Sequence, residues 1–273
     1  MNIRMRTGFS ALCAVYFFAG LANAEPLGLT ARQLPARSLK MVGYYRGGQD
    51  QDLTFSVGGS GTCKNPTAAV AFPCDATGDT PAQGSGQAAV LKVLYQPFDN
   101  LQYYATLGTG RYALAISSLS ATTSLTGDLP GWIYGAGVRG LLFPDTIASA
   151  ALAVDASVTM EKYWFSRSQP QPTAALVSVK DRLDLLKLQL ALEASRRFEF
   201  DGRWKAEPYG GLKWVRTQAW LKDLDSGNRF GGIKDAVTPF LGINLPFSDN
   251  ESLFGEASFV QGYEYATGLT VKF

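Results

Sequence analysis

Gly262-Tyr-Glu-Tyr-Ala-Thr-Gly-Leu-Thr-Val-Lys-Phe273, the last twelve residues, decide how the rest of the chain is read. Taken two at a time from the end, Phe273, Val271, Leu269, Thr267, Tyr265 and Tyr263 form a nearly unbroken apolar and aromatic row. The residues between them, Lys272, Thr270, Gly268, Ala266, Glu264 and Gly262, are polar or very small. Side chains alternate faces along a strand, so this is a strand with one greasy face and one wet face. A soluble sandwich can show the same alternation, but it would rarely close on it with the final carboxylate attached to the greasy row.

The same period recurs upstream. Residues 87–97 set Ala89, Leu91, Val93 and Tyr95 against Lys92, and residues 101–112 set Leu101, Tyr103, Ala105 and Leu107 against Gln102, Thr106 and Gly108. Residues 131–142 oppose Trp132, Tyr134, Ala136, Val138 and Leu142 to Gly135, Gly137 and Arg139. Residues 147–164 oppose Leu152, Val154, Val158 and Met160 to Asp155, Ser157, Thr159 and Glu161. In residues 177–200 a helix competes, because Leu, Lys, Arg and Glu favour one. Period two prevails there: Leu186, Leu188, Leu190, Leu192, Ala194 and Phe198 share one parity, expected to face lipid, and Lys187, Gln189, Glu193 and Arg197 share the other. A helix would scatter those leucines over separate faces. Strands also read at 39–46, 209–221, 233–247 and 253–259, with Pro239 expected to mark a bulge.

Four turns punctuate these strands: Pro97-Phe-Asp-Asn100, Phe143-Pro-Asp-Thr146, Phe200-Asp-Gly202 and Phe247-Ser-Asp-Asn250. Asp and Asn suit tight turns because their side chains bond the local backbone and tolerate left-handed geometry. The Phe beside each Asp reads as an interfacial anchor. The other connections are longer and polar, at 47–86, 117–130, 166–175 and 222–230, except for a tight one at 261–262. Short turns alternating with long loops are the pattern of a transmembrane barrel. The expected fold is therefore all-β, a single antiparallel barrel of about ten strands, with eight and twelve the neighbouring even counts. A soluble barrel would reverse the two faces. Against it, the polar parity here holds Gly, Ser, Thr and Ala beside isolated charges, which suits a confined lumen, and Trp and Tyr sit near strand ends, which suits lipid interfaces.

The front end extends the argument. Arg4 and Arg6, an apolar run over 9–21 and Ala22-Asn-Ala24 have the layout of a secretory signal peptide, expected to span residues 1–24 and be cut after Ala24. Residues 25–37 are expected to form a short periplasmic segment and 38–273 the barrel. Of the 25 basic and 23 acidic residues in the chain, the expected signal holds two basic ones, which leaves the remainder formally neutral and unlike a nucleic-acid binder. Two cysteines, Cys63 and Cys74, lie in the longest loop, and an oxidising compartment would pair them. Such a clip is worth about 3 kcal/mol in the chain-entropy model.

With a terminal aromatic closing its last strand, the chain resembles the small outer-membrane β-barrels that include the OmpA-like domain. Glu207-Pro-Tyr-Gly-Gly-Leu-Lys-Trp214 is also similar to strands of the chlamydial-type major porins, and Thr270-Val-Lys-Phe273 matches the end of both. The resemblance implies integral insertion in a bacterial outer membrane, outer-membrane lipids as partners, and Phe273 as part of the signal read by the barrel-assembly machinery. The chain is much shorter than chlamydial-type porins and poor in cysteine, so their trimeric pore does not carry over.

Catalytic chemistry is harder to place. The chain has no histidine, which removes the usual neutral-pH general base and most zinc sites. Asp155 and Glu161 share the lumen parity and offer a carboxylate-only hydrolase, but lumen bases are nearer to hand as partners. The lumen parity carries Lys92, Arg139, Asp155, Glu161, Lys187, Glu193, Arg197, Lys213, Lys234, Glu256, Glu264 and Lys272. Opposite charges in a narrow lumen are expected to pair, since an unpaired one is costly away from bulk water. The segments 223–228 and 75–79 read as turns and lack the spacing and final Glu of a calcium loop. No cofactor or metal is expected. The expected role is non-enzymatic, structural or surface-interacting through loops that meet external ligands, with at most a narrow pore. The alternative is a small porin for polar solutes, which ten strands make tight, because open aqueous channels come with about 16.

Overall fold

The alternation is realised in a closed wall. The computed structural model describes residues 26–28, 30–31, 36–57, 78–117, 122–146, 149–171, 176–200, 204–225, 227–259 and 263–273. In chain order its strands are β1 (Ser38–Val57), β2 (Gly78–Phe98), β3 (Leu101–Ser117), β4 (Thr122–Thr126), β5 (Gly131–Phe143) and β6 (Ala151–Gln171). There follow β7 (Val177–Ser195), β8 (Phe198–Phe200), β9 (Trp204–Asp223), β10 (Arg229–Pro246), β11 (Glu251–Ser258) and β12 (Tyr263–Lys272). Two of these segments extend others. Both β4 and β5 pair with β3 and β6, and β8 carries the line of β7 along β9. The wall is therefore a ten-stranded antiparallel barrel, closed where β12 pairs with β1 from Lys40↔Lys272 to Gln49↔Tyr263. Among the described residues no helix is long and apolar enough to cross a membrane.

The wall has two zones along its axis. Towards the end where β1 begins and β12 ends (the terminal end), Leu188, Leu190 and Leu192 point outward at 39%, 48% and 46% exposure, while Lys187, Gln189 and Glu193 are buried inside. Water would not tolerate so large an outward apolar surface, which marks the lipid-facing band. An aromatic ring of exposed Phe98, Phe143, Phe198, Phe200, Phe247 and Phe273 edges it at the terminal end. Towards the other end the faces exchange roles. Leu183 and Leu185 point inward and are fully buried, so the apolar row of β7 changes side between Leu185 and Leu186. Likewise Leu107 of β3 faces out whereas Leu114 and Ile116 face in, and Val158 of β6 faces out whereas Phe165 faces in. Beyond the band, the barrel stands in water and buries its greasy side like a soluble one.

This exchange explains where the strands exceed expectation. The loop expected over 47–86 gives up its ends to β1 and β2, and the one over 117–130 contains β4. Their apolar residues pack inside the barrel, on β1 because a bulge between Gly48 and Gln51 turns Leu53 and Phe55 inward. Conversely, β6 starts at Ala151 rather than at 147, and ahead of it the Thr146 N–H donates to the Ser149 carbonyl at 2.9 Å.

Two further details fix the wall. No bulge forms at Pro239: pairing with β9 runs unbroken through Thr238↔Lys213, Pro239↔Leu212 and Phe240↔Gly211. The Pro239 carbonyl faces Phe259, just past the end of β11, so the missing N–H lies on a side where the partner strand has stopped. The hairpin of β11 and β12 is short, and past its tip β1 meets β10 directly at Ser56↔Gly231. A Cβ on the adjacent Gly232 would lie 2.0 Å from the Thr54 carbonyl oxygen, so only glycine allows that approach.

Candidate functional site

Period two sends a polar row from each strand into the lumen, and the structure brings most of the expected charges together there. Lys92, Arg139, Asp155, Glu161, Lys187, Glu193, Lys213, Glu256 and Glu264 are all buried. Arg197 lies at the terminal rim beside Glu199 (3.2 Å) and Glu207 (3.9 Å). Lys234 and Lys272 are half-buried.

Sequence reasoning left two charges out of this group. Arg46 and Glu207 are buried in the lumen as well; Arg46 lies on the parity opposite Leu39, Met41 and Tyr45, and Glu207 shares the parity of Lys213, which was the available signal. With them the buried lumen holds five bases (Arg46, Lys92, Arg139, Lys187, Lys213) and six acids (Asp155, Glu161, Glu193, Glu207, Glu256, Glu264). That near balance lets the charges neutralise one another.

The charges sort into two tiers. In the upper tier Glu161 accepts from Arg46 at 2.5 Å, from Lys187 at 2.8 Å and from the Tyr163 hydroxyl at 2.8 Å. Glu264 stands 3.8 Å from the other side of the same guanidinium. These groups line a void of about 20 Å³, which is room for a single water. In the lower tier Arg139 meets Glu193 at 2.9 Å, and the Tyr104 hydroxyl donates to Asp155 at 2.7 Å. Lys213 pairs with Glu256 and also lies 4.5 Å from the centre of the Phe240 ring.

The lower tier holds something no strand pattern indicated. Part of the segment before β1, where residues 25–37 were expected to stand in the periplasm, lies among the lumen side chains. Leu27 and Ala31 are 1% and 3% exposed. The N–H groups of Leu27 and Gly28 donate to Glu256 at 3.1 and 3.0 Å, and the Tyr209 hydroxyl donates to the same carboxylate at 3.1 Å. The Lys92 ammonium donates to the Pro26 and Leu27 carbonyls at 3.2 and 3.3 Å and sits 4.7 Å from the Tyr104 ring centre. Thr30 donates to Glu207 at 3.2 Å, and the Ala31 N–H to the Ser195 hydroxyl at 3.0 Å. Gly28 has φ 60°, and a Cβ there would fall 2.8 Å from Phe254.

Above both tiers lies the inward apolar cluster of the second zone. It includes Leu53, Phe55, Leu114, Ile116, Phe165, Leu183 and Leu185, and Tyr112 stacks on Tyr163 at 5.0 Å. The lumen is thus filled at three successive levels, by apolar packing, by ion pairs and by described residues of the segment ahead of β1.

Among the remaining expected sites, Cys63 and Cys74 lie outside the described residues. Phe273 is exposed on the terminal rim, and its backbone closes the wall: Phe273 N–H donates to the Leu39 carbonyl at 2.8 Å. Asp155 accepts from the Tyr104 hydroxyl, whereas Glu161 accepts from Arg46, Lys187 and the Tyr163 hydroxyl. Leu224 and Asp225 lie in a turn, with the Asp225 N–H donating to Asp223 Oδ1 at 2.9 Å. Among the described residues no group of His, Cys, Asp or Glu could hold a metal ion.

No protein-family model matches the chain, and no curated protein matches it. Solved structures similar to it include the translocator domain of the autotransporter NalP from Neisseria meningitidis, at 13% identity and TM-score 0.46, covering 88% of this chain and 89% of that one. The outer membrane protease OmpT from Escherichia coli is similar at 9% identity and TM-score 0.48, covering 88% and 98%. The outer membrane protein OprG from Pseudomonas aeruginosa is similar at 11% identity and TM-score 0.43, covering 89% and 99%.

Proposed function

We propose that the protein is an integral outer-membrane barrel with a closed lumen, whose role is structural or surface-interacting rather than catalytic or conductive. The outward apolar band edged by aromatic rings supports membrane insertion, and closed barrels are one of the two forms in which a chain spans a bilayer. The observation that carries the closed-lumen reading is the stack of three fillings: the cluster around Leu183 and Leu185, the pairs around Glu161, and Leu27 and Gly28 on Glu256. A diffusion pore would need all three displaced together. Buried pairs hold the middle level because separating them strands charges away from bulk water. Roles then fall to the parts that face outward, namely the wall and the connections at the end away from the termini.

Liposome swelling tests this reading. Vesicles containing the purified barrel should swell in isosmotic arabinose or glycine no faster than empty vesicles. Rapid swelling would replace this reading with the small-porin one.

A further inference from the structure

Four neighbouring strands change character on their outer face along one line. On β6 the outward row runs through Val158 and Met160 and then reaches Lys162; on β7 it runs through Leu188 and Leu186 and then reaches Asp184 and Arg182. Pairing aligns Lys162↔Asp184↔Trp220, and one step on aligns Arg182↔Lys222↔Arg229. At the far edge of the apolar band, away from the termini, Lys162, Arg182, Lys222 and Arg229 therefore cluster around one carboxylate.

The cluster is held in place. Asp184 is 3% exposed and accepts from Lys222 at 2.6 Å and from Arg182 Nη2 at 3.2 Å. The Arg182 and Lys222 side chains keep 31% and 26% exposure. The Arg229 guanidinium lies 5.2 Å from the Trp220 ring, and Lys162 lies 5.6 Å from the Tyr134 ring. While Asp181 and Asp223 pair across the adjacent rung on the opposite parity, on the outward parity four bases face one acid, an excess of three positive charges. The nearby Arg216 and Asp235, 3.9 Å apart, balance each other and do not reduce it. A single acid cannot neutralise four cations, and a position at the edge of the lipid-facing band sets them among headgroups rather than in open water.

We propose that this face docks net-negative lipid phosphate in the leaflet away from the termini, with Asp184 splaying its bases and Trp220 and Tyr134 seating them at the interface. Basic clusters at a membrane edge bind anionic headgroups at about 1 kcal/mol per Lys or Arg. The proposal rests on the reading of the chain as a membrane barrel.

The test is native mass spectrometry of the full-length barrel, released from non-ionic detergent and titrated with phosphatidic acid or with zwitterionic phosphatidylcholine. Phosphatidic acid adducts should form at lower lipid concentration than phosphatidylcholine adducts and weaken with added salt. In K162Q/R182Q/K222Q/R229Q the phosphatidic acid preference should fall about tenfold or more. The triple variant R37Q/R196Q/K205Q, which removes charges at the opposite end of the wall, should keep it. The single variant R229Q touches only an exposed residue, should fold whatever the quadruple variant does, and should lower the preference severalfold. Equal binding of the two lipids, or a preference unchanged in R229Q and the quadruple variant, overturns the docking face. Insertion into phosphatidylcholine vesicles, checked by resistance to carbonate extraction, separates that failure from failure of the membrane reading itself.

Discussion

The Gly28 N–H donates to Glu256 Oε2 at 3.0 Å, across a separation of 228 residues in sequence. Through this bond and its Leu27 neighbour, the start of the described chain is tied to the penultimate wall strand, on the carboxylate that also pairs with Lys213. Glu256 therefore serves the wall and the lumen filling at once. E256Q leaves Lys213 buried without its counter-charge, and breaking a buried pair in this way costs about 3–5 kcal/mol. Urea unfolding followed by heat-modifiable mobility should show that loss. Adding K213M should restore much of it, because replacing both partners avoids the stranded charge.

Residues 26–31 can be released without opening the wall. G28A places a methyl group against Phe254 and asks a non-glycine residue to hold φ 60°. Added protease should then cut near residue 28 while the wall stays intact. Vesicles carrying this variant should still swell no faster than empty ones, because the ion pairs and the apolar cluster remain above it. Protection from protease equal to that of the unsubstituted protein would mean that the close contact with Phe254 is easily relieved.

Charge reversal in the lumen should act on folding before it acts on ions. E193K faces Arg139 at 2.9 Å in the original pair and sets two buried cations together. The barrel should lose stability by several kcal/mol, read as a fall in the temperature of mobility shift. A stable E193K barrel with altered ion selectivity would show that this level is open to water.

Much of this was legible in the sequence, and the reason is geometric. Alternation fixes which residues share a face, so Leu188, Leu190 and Leu192 and the opposing Lys187 and Glu193 could be assigned before any coordinates. The projecting zone was not legible, because there the apolar parity inverts. On β7, Leu183 and Leu185 belong to one face and Leu186 and Leu188 to the other, and where the same exchange falls in 47–86 and 117–130 a reading that holds one parity takes strand for loop. The lumen filling by residues 26–31 was hidden for a different reason. It is bound mainly by backbone groups to side chains far away in sequence, and nothing in its own composition points to Glu256 or Lys92. Pro239 misled because its effect depends on where β11 ends, which is a property of the neighbouring strand.

Assembly should depend on the last residue. Phe273 continues the outward row of β12, and its backbone meets Leu39 of the first strand. F273S should lower the amount of membrane-integrated barrel severalfold while export across the inner membrane continues. Unchanged, heat-modifiable protein in the membrane fraction would count against Phe273 as an assembly signal.

A covalent clip is expected between Cys63 and Cys74. Alkylation of the purified protein without reductant should leave both unmodified, and reduction beforehand should add two alkyl groups to its mass. Two added groups without reduction would end this expectation.

Single-channel recording in planar bilayers tests the closed lumen most directly. The purified, unsubstituted barrel in 1 M KCl (on the order of a 3 Å Debye length) should give no stable steps above those of protein-free membranes, at either polarity. Large, long-lived and ion-selective steps would contradict the account.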